Sequence, residues 1–76
     1  MPELSRFYGI VIRMYFGDHN PPHFHVVFGD DEVLVRLDDL SVLRGTLRSS
    51  DLRRALDWAR QNKDVIEDEW NRRNIG

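Results

Sequence analysis

The sequence contains no cysteine, which excludes disulfide bonds and thiolate metal sites. It also lacks a long apolar run, and residues 1–6 have neither the basic nor the apolar region of a signal peptide. These absences predict a soluble, cytoplasmic protein with no membrane segment. A length of 76 residues predicts one domain, 1–76, with a sheet part over 1–47 and a helical part over 48–76.

Lysine is nearly absent, since Lys63 is the single lysine in a chain with ten arginines. Arginine suits bidentate contacts with carboxylate and phosphate groups better than lysine does. The formal net charge is nevertheless −2, which argues against a general nucleic-acid coat protein. A local basic patch remains compatible with this charge.

Three segments rich in aromatic and β-branched residues predict strands over 6–16, 23–28 and 32–37, and a weaker fourth strand covers 42–47. Clusters of turn-forming residues separate them at 17–22, 29–31 and 38–41. Strands joined by such short loops pair antiparallel. We therefore expect a three- to four-stranded meander sheet.

The pattern changes to a helical period after residue 48, with Ser49 or Ser50 as a suitable N-cap and Asp51 in the first turn. A single C-terminal helix over about 50–73 is favoured, with its last turns projecting or engaging a partner. A kink or break near Asn62 and the return of Trp70 to the core are the alternatives. The fold class is α+β, with the helix packed on one face of the sheet.

Alternation along the strands assigns two faces to the sheet. The face under the helix carries Tyr8, Ile10, Ile12, Met14, Phe16, Phe24, Val26, Phe28, Val33, Val35 and Leu37. The second face carries Phe7, Val11, Arg13, Tyr15, His23, His25, Val27, Leu34 and Arg36. Such a mixture of aromatic, aliphatic and cationic side chains is typical of a contact surface for a ligand, RNA or protein.

All three histidines lie between His19 and His25, next to Asp18 and a Pro-Pro turn. One interpretation is a divalent metal site made by His19, His23, His25 and Asp18. Another is a metal-independent phosphodiester site, in which catalytic candidates transfer protons or stabilise charge; they are Arg13, Tyr15, His23, His25 and Arg36. The third is structural: Asp18 accepts hydrogen bonds from the turn backbone, the histidine rings pack against Tyr15 and Phe7, and the two prolines stiffen the loop.

Residues 5–16 (SRFYGIVIRMYF) and 18–26 (DHNPPHFHV) closely resemble the N-terminal signature of a bacterial family of small proteins, DUF4160, a domain of unknown function. Residues 55–59 (ALDWA) and 69–70 (EW) resemble its C-terminal half. The chain departs from the family at 36–41, where members carry an acidic segment with a Thr-Gly turn.

The resemblance implies a small bacterial cytoplasmic protein that binds a small partner protein, because the family's genes often accompany those of another small family in a toxin–antitoxin-like arrangement. It does not say whether the chain is the toxin or the antitoxin, and it transfers no catalytic residue. We expect an interaction protein that contacts RNA through the second face, with a homodimer through the C-terminal helix as a further expectation. A histidine-centred metal-binding or metal-dependent hydrolytic protein is the alternative.

Overall fold

The computed structural model describes residues 3–15 and 21–73. Within these ranges the chain forms five strands followed by two helices, which confirms the α+β class. The elements are β1 (Glu3–Phe7), β2 (Ile10–Arg13), β3 (His23–Phe28), β4 (Asp31–Arg36), β5 (Val42–Gly45), α1 (Ser49–Gln61) and α2 (Lys63–Arg73).

The strands form one antiparallel sheet in the order β1-β2-β3-β4-β5, so the predicted meander is correct. The predicted count of three to four strands is wrong, because the segment 6–16 is not one strand. The chain reverses at Tyr8 and Gly9, whose φ angles are 52° and 78°. Two successive positive φ values produce the two-residue turn that matches the twist of a hairpin.

The reversal at Tyr8 also changes which side chains face the core. Tyr8 is 76% exposed, so its predicted place in the core is wrong. Phe7, which was assigned to the second face, instead packs against the core and stacks on Trp58 of α1 with ring centroids 6.0 Å apart. A turn of two residues resets the alternation of faces between β1 and β2.

Beyond the turn, the predicted core face is confirmed. The buried residues of this face, on the strands or just past their ends, include Ile10, Ile12, Met14, Phe24, Val26, Val33, Val35 and Leu37. Phe28 is half-buried against this cluster, while Phe16 lies outside the described residues. Ala55 and Ala59 complete the contact from α1, since their small side chains allow the helix to approach the sheet closely.

The helical part consists of two helices, so the favoured single helix is wrong. Asn62 ends α1 with φ −123° and ψ 25°, and its side chain donates a hydrogen bond to the Trp58 carbonyl at 2.8 Å. An Asn side chain that bonds the backbone in this way competes with helix continuation. At the other end, Arg48 occupies the N-cap without a side-chain bond, so the predicted serine cap is also wrong.

The second helix folds back over the end of the sheet instead of projecting. Ile66 and Trp70 are its buried residues and both belong to the core cluster. Lys63 Nζ donates to the Asp38 carbonyl at 2.7 Å, and Arg73 donates to the Met14 carbonyl at 3.3 Å. These contacts place α2 beside Met14, which follows β2, and beside the turn that follows β4.

Candidate functional site

The strand register brings the predicted catalytic candidates to one surface. Arg13 of β2 pairs with His25 of β3, and His23 pairs with Arg36 of β4. Paired residues point to the same side of a sheet. The surface formed by Arg13, Tyr15, His23, His25 and Arg36 is called the histidine face below.

His25 lies at the centre of this face and is held by two neighbours. The ring of Tyr15 meets it edge-on, with centroids 4.6 Å apart and an interplanar angle of 88°. The Nδ1–H of His25 donates to Glu32 Oε2 at 2.9 Å. The side chain of His25 is 13% exposed, whereas that of Glu32 is 46% exposed. These two contacts fix the orientation of the His25 imidazole.

His23 is buried, although it belongs to the sheet face that α1 does not cover. It is 6% exposed, and its ring lies 5.2 Å from the ring of His25 and 5.5 Å from that of Trp70, centroid to centroid. Its Nδ1 lies 2.8 Å from the Pro21 carbonyl oxygen. A carbonyl oxygen only accepts, so Nδ1 carries the proton. His23 therefore joins the histidine face to α2.

The two arginines of the face differ in their partners. The Nε of Arg13 is buried and has no hydrogen-bond partner within residues 3–15 and 21–73. The Nε of Arg36 lies 2.8 Å from Asp38 Oδ1, an ion-pair distance, but the two groups are not aligned as a hydrogen bond. Of the two guanidinium groups, only that of Arg36 has an ion-pair partner among the described residues, so Arg13 is the better candidate to bind an external anion.

Glu3 does not neutralise Arg13, although the two residues pair across β1 and β2. Arg6 donates to both carboxylate oxygens of Glu3, at 2.9 and 3.2 Å. This hydrogen bonding lowers the pKa of the Glu3 carboxyl below its usual value, and the charges of Arg6 and Arg13 act in the same direction. The Glu3 carboxylate therefore forms its hydrogen bonds with Arg6, while its interaction with Arg13 is electrostatic only.

The predicted metal ligands are only partly placed, because Asp18 and His19 lie outside the described residues. Within residues 3–15 and 21–73, no group of three or more histidine, cysteine or acidic residues could hold a metal ion. His23 and His25 share one side of β3, as predicted, and each donates its Nδ1–H to an oxygen of the protein. This arrangement is typical of metal-binding histidines, whose other nitrogen is the ligand.

Two neighbours of the site were missed by the sequence analysis. Glu32 has the same alternation as Leu34 and Arg36, so period two could have identified it on the second face. Trp70 carried no such signal, because its contact with His23 depends on the break at Asn62 and the return of α2.

A comparison with protein families matches residues 9–71 of the chain to a family described as "Domain of unknown function (DUF4160)". Neither the comparison with curated proteins nor that with solved structures gives a match. In the described part of the chain, no helix combines the length and apolar character needed to cross a membrane.

Proposed function

The chain belongs to the DUF4160 family, and from this premise we propose that it is a protein-interaction component of a bacterial toxin–antitoxin-like module that contacts RNA through the histidine face. The observation that carries the RNA contact is the buried Nε of Arg13, which has no hydrogen-bond partner among the described residues. Arg13 as a whole is only half-buried, so we expect a phosphate to reach its guanidinium group, which binds phosphate through planar, charge-assisted bonds.

The neighbours of Arg13 support RNA over a simple inorganic anion. Tyr15 and His25 bring an aromatic ring and an imidazole next to the guanidinium. Proteins recognise single-stranded RNA by combining cationic contacts to the backbone with aromatic side chains that meet unstacked bases. The formal net charge of −2 means that this attraction depends on local groups rather than on the whole protein.

The protein partner is supported by apolar side chains at one margin of the sheet. In the sheet order β5 is a terminal strand, and Val42 and Leu43 on it are 43% and 42% exposed. An end strand with apolar side chains is a common site for pairing with a second chain. Val65 on α2 is 51% exposed and supports the alternative contact, a homodimer through the C-terminal helix.

The RNA contact predicts a specific loss on substitution of Arg13. We expect Arg13→Gln to weaken binding of a short single-stranded RNA about tenfold, which corresponds to about 1.4 kcal/mol. The slope of log K against log salt should become shallower by about 0.7, the value for one lost phosphate contact on a single strand. Fluorescence anisotropy at several salt concentrations measures both quantities.

Arg53→Gln is the matched control, because Arg53 is exposed on α1 and its loss changes the net charge equally. We expect this control to change RNA affinity less than twofold. Equal losses for both variants would show a diffuse charge effect, and an absence of RNA binding by the wild type would refute the RNA contact.

The same pair of variants tests the cellular role. Growth arrest with RNA cleavage on expression of the wild type, but not of Arg13→Gln, would support the toxin role. Arrest by both variants would place inhibition away from the histidine face. An absence of arrest, together with protection against a co-expressed partner, would support the antitoxin role.

The buried position of His23 makes Arg13 the better target, because truncating His23 also removes packing against Trp70.

A divalent-metal role is the second candidate function, and it is favoured by the Nδ1 bonds of His23 and His25. If a metal binds, we expect titration with Zn²⁺, Ni²⁺, Mn²⁺ or Fe²⁺ to shift the imidazole resonances of all three histidines together. The melting temperature should rise with metal concentration by mass action. Histidine NMR and thermal denaturation measure these effects.

The variants His25→Gln and His19→Gln separate the ligands. His25→Gln should remove the metal response, and His19→Gln should weaken it if His19 supplies the third ligand. Imidazole resonances that stay unchanged in excess metal would exclude this second function.

A further inference from the structure

A cleft of about 260 Å³ opens between α2 and the turn that follows β4. Its lining residues are Pro22, Leu37, Asp38, Glu67, Trp70 and Asn71. None of these residues belongs to the histidine face, although Trp70 contacts His23. The volume lies just below the roughly 300–1,000 Å³ that is usual for small-molecule pockets. The cleft therefore suits a single side chain better than a cofactor.

The floor of the cleft is apolar and its margin is acidic. Leu37 is 4% exposed and Trp70 is 7% exposed, so both are fixed parts of the core. Asp38, on the turn after β4, and Glu67, on α2, also line the cleft and are exposed. An apolar floor with carboxylates at the margin is complementary to a side chain that has an apolar stem and a cationic end.

Of the two carboxylates that line the cleft, only that of Asp38 has an ion-pair partner among the described residues. The Asp38 carboxylate lies 2.8 Å from Arg36 Nε. Lys63 lies nearby, but its ammonium donates to the Asp38 carbonyl and not to a carboxylate. Across the described ranges 3–15 and 21–73, Glu67 forms no ion pair. The margin of the cleft is thus net negative on the α2 side.

We propose that this cleft receives an arginine side chain of a partner protein. A guanidinium stacks on an indole and bonds a carboxylate in a bidentate manner, so it would use Trp70 and Glu67 together. The ammonium of lysine gives only a point charge at the same place. The inference rests on the proposed interaction role, and it deepens that role by naming the chemistry of the partner's contact.

Blocked arginine, N-acetyl-arginine amide, is the probe for this site, and blocked citrulline is its uncharged isostere. We expect arginine to shift the indole N–H resonance of Trp70 in ¹H–¹⁵N NMR while that of Trp58 stays in place. Citrulline should bind at least tenfold more weakly. Glu67→Gln should weaken arginine binding at least fivefold.

Asp68→Asn is the matched control, because Asp68 is the exposed neighbour of Glu67 on α2 and does not line the cleft. It should retain arginine affinity within twofold, and circular dichroism should confirm equal helix content in both variants. Equal shifts with arginine and citrulline, stronger binding of blocked leucine, or equal losses in the two variants would overturn the proposal.

Failure of the arginine-cleft proposal can be distinguished from failure of the proposed function. Loss of the arginine response with intact, Arg13-dependent RNA binding would refute only the cleft. Arginine binding by a protein that binds neither RNA nor a partner protein would refute only the proposed function.

Discussion

Replacing Gly45 by alanine is expected to destabilise the protein by about 2–4 kcal/mol. Gly45 has a φ of +90°, and a Cβ at this position would lie 2.1 Å from the backbone carbonyl oxygen of Glu32. Both atoms belong to the paired strands β4 and β5, so neither can move away without breaking the pairing. A chain of this length has about 4–11 kcal/mol of stability, so the loss is a large fraction.

Urea denaturation followed by circular dichroism measures the change in the free energy of unfolding. Gly29→Ala is the control, because Gly29 also has a positive φ, +59°, but no atom lies within 4 Å of its added Cβ. We expect the control to lose only about 1 kcal/mol, the cost of the left-handed backbone for an alanine. Similar losses for the two variants would show that the contact with Glu32 has no energetic role.

The substitution Trp70→Ala is expected to have the largest effect on the helical part, at about 3–5 kcal/mol. Trp70 and Ile66 are the buried residues of α2, and Trp70 also lies against His23. Loss of the indole removes half of the apolar anchor of α2 and opens a cavity beside His23. We expect α2 amides to exchange with solvent faster than those of α1, because α2 then opens locally.

Hydrogen exchange measured residue by residue tests this difference, and urea denaturation gives the total loss. Trp58→Ala is the matched control, since Trp58 is only half-buried and stacks on Phe7 of β1. A partly buried side chain should lose about 1–2 kcal/mol and leave α2 protected. Equal exchange in α1 and α2 of Trp70→Ala would contradict the anchoring role.

The sheet could be predicted where local alternation and burial agree. Met14, Phe24 and Val35 lie on the predicted core face because their strands are regular and one face is covered. The turn at Tyr8 and Gly9 could not be predicted in the same way. A tyrosine with positive φ is unfavourable locally, and the aromatic and β-branched residues around it favour an extended strand. The turn also allows Phe7 to pack on Trp58. This contact joins residues that are distant in the sequence, so a local pattern does not predict it.

The candidate site could also be predicted only where local alternation determines it. Arg13, His25 and Arg36 could be placed on one face from period two and antiparallel pairing alone. The burial of His23 could not, because it depends on Trp70, which is distant in sequence. The break at Asn62 sets the direction of α2, and a 3.6-residue apolar rhythm continues through such a break without marking it.

The meander order of the sheet has a consequence for how the protein reaches its folded state. Every strand pairs with its neighbour in the chain, so each pairing closes only a short loop. The entropic cost of closing a loop rises with its length, and folds dominated by such local pairings form quickly. The contacts of α2 with Met14 and Asp38 instead join distant segments. We therefore expect α2 to dock late in folding, and His23 to acquire its buried environment in that step.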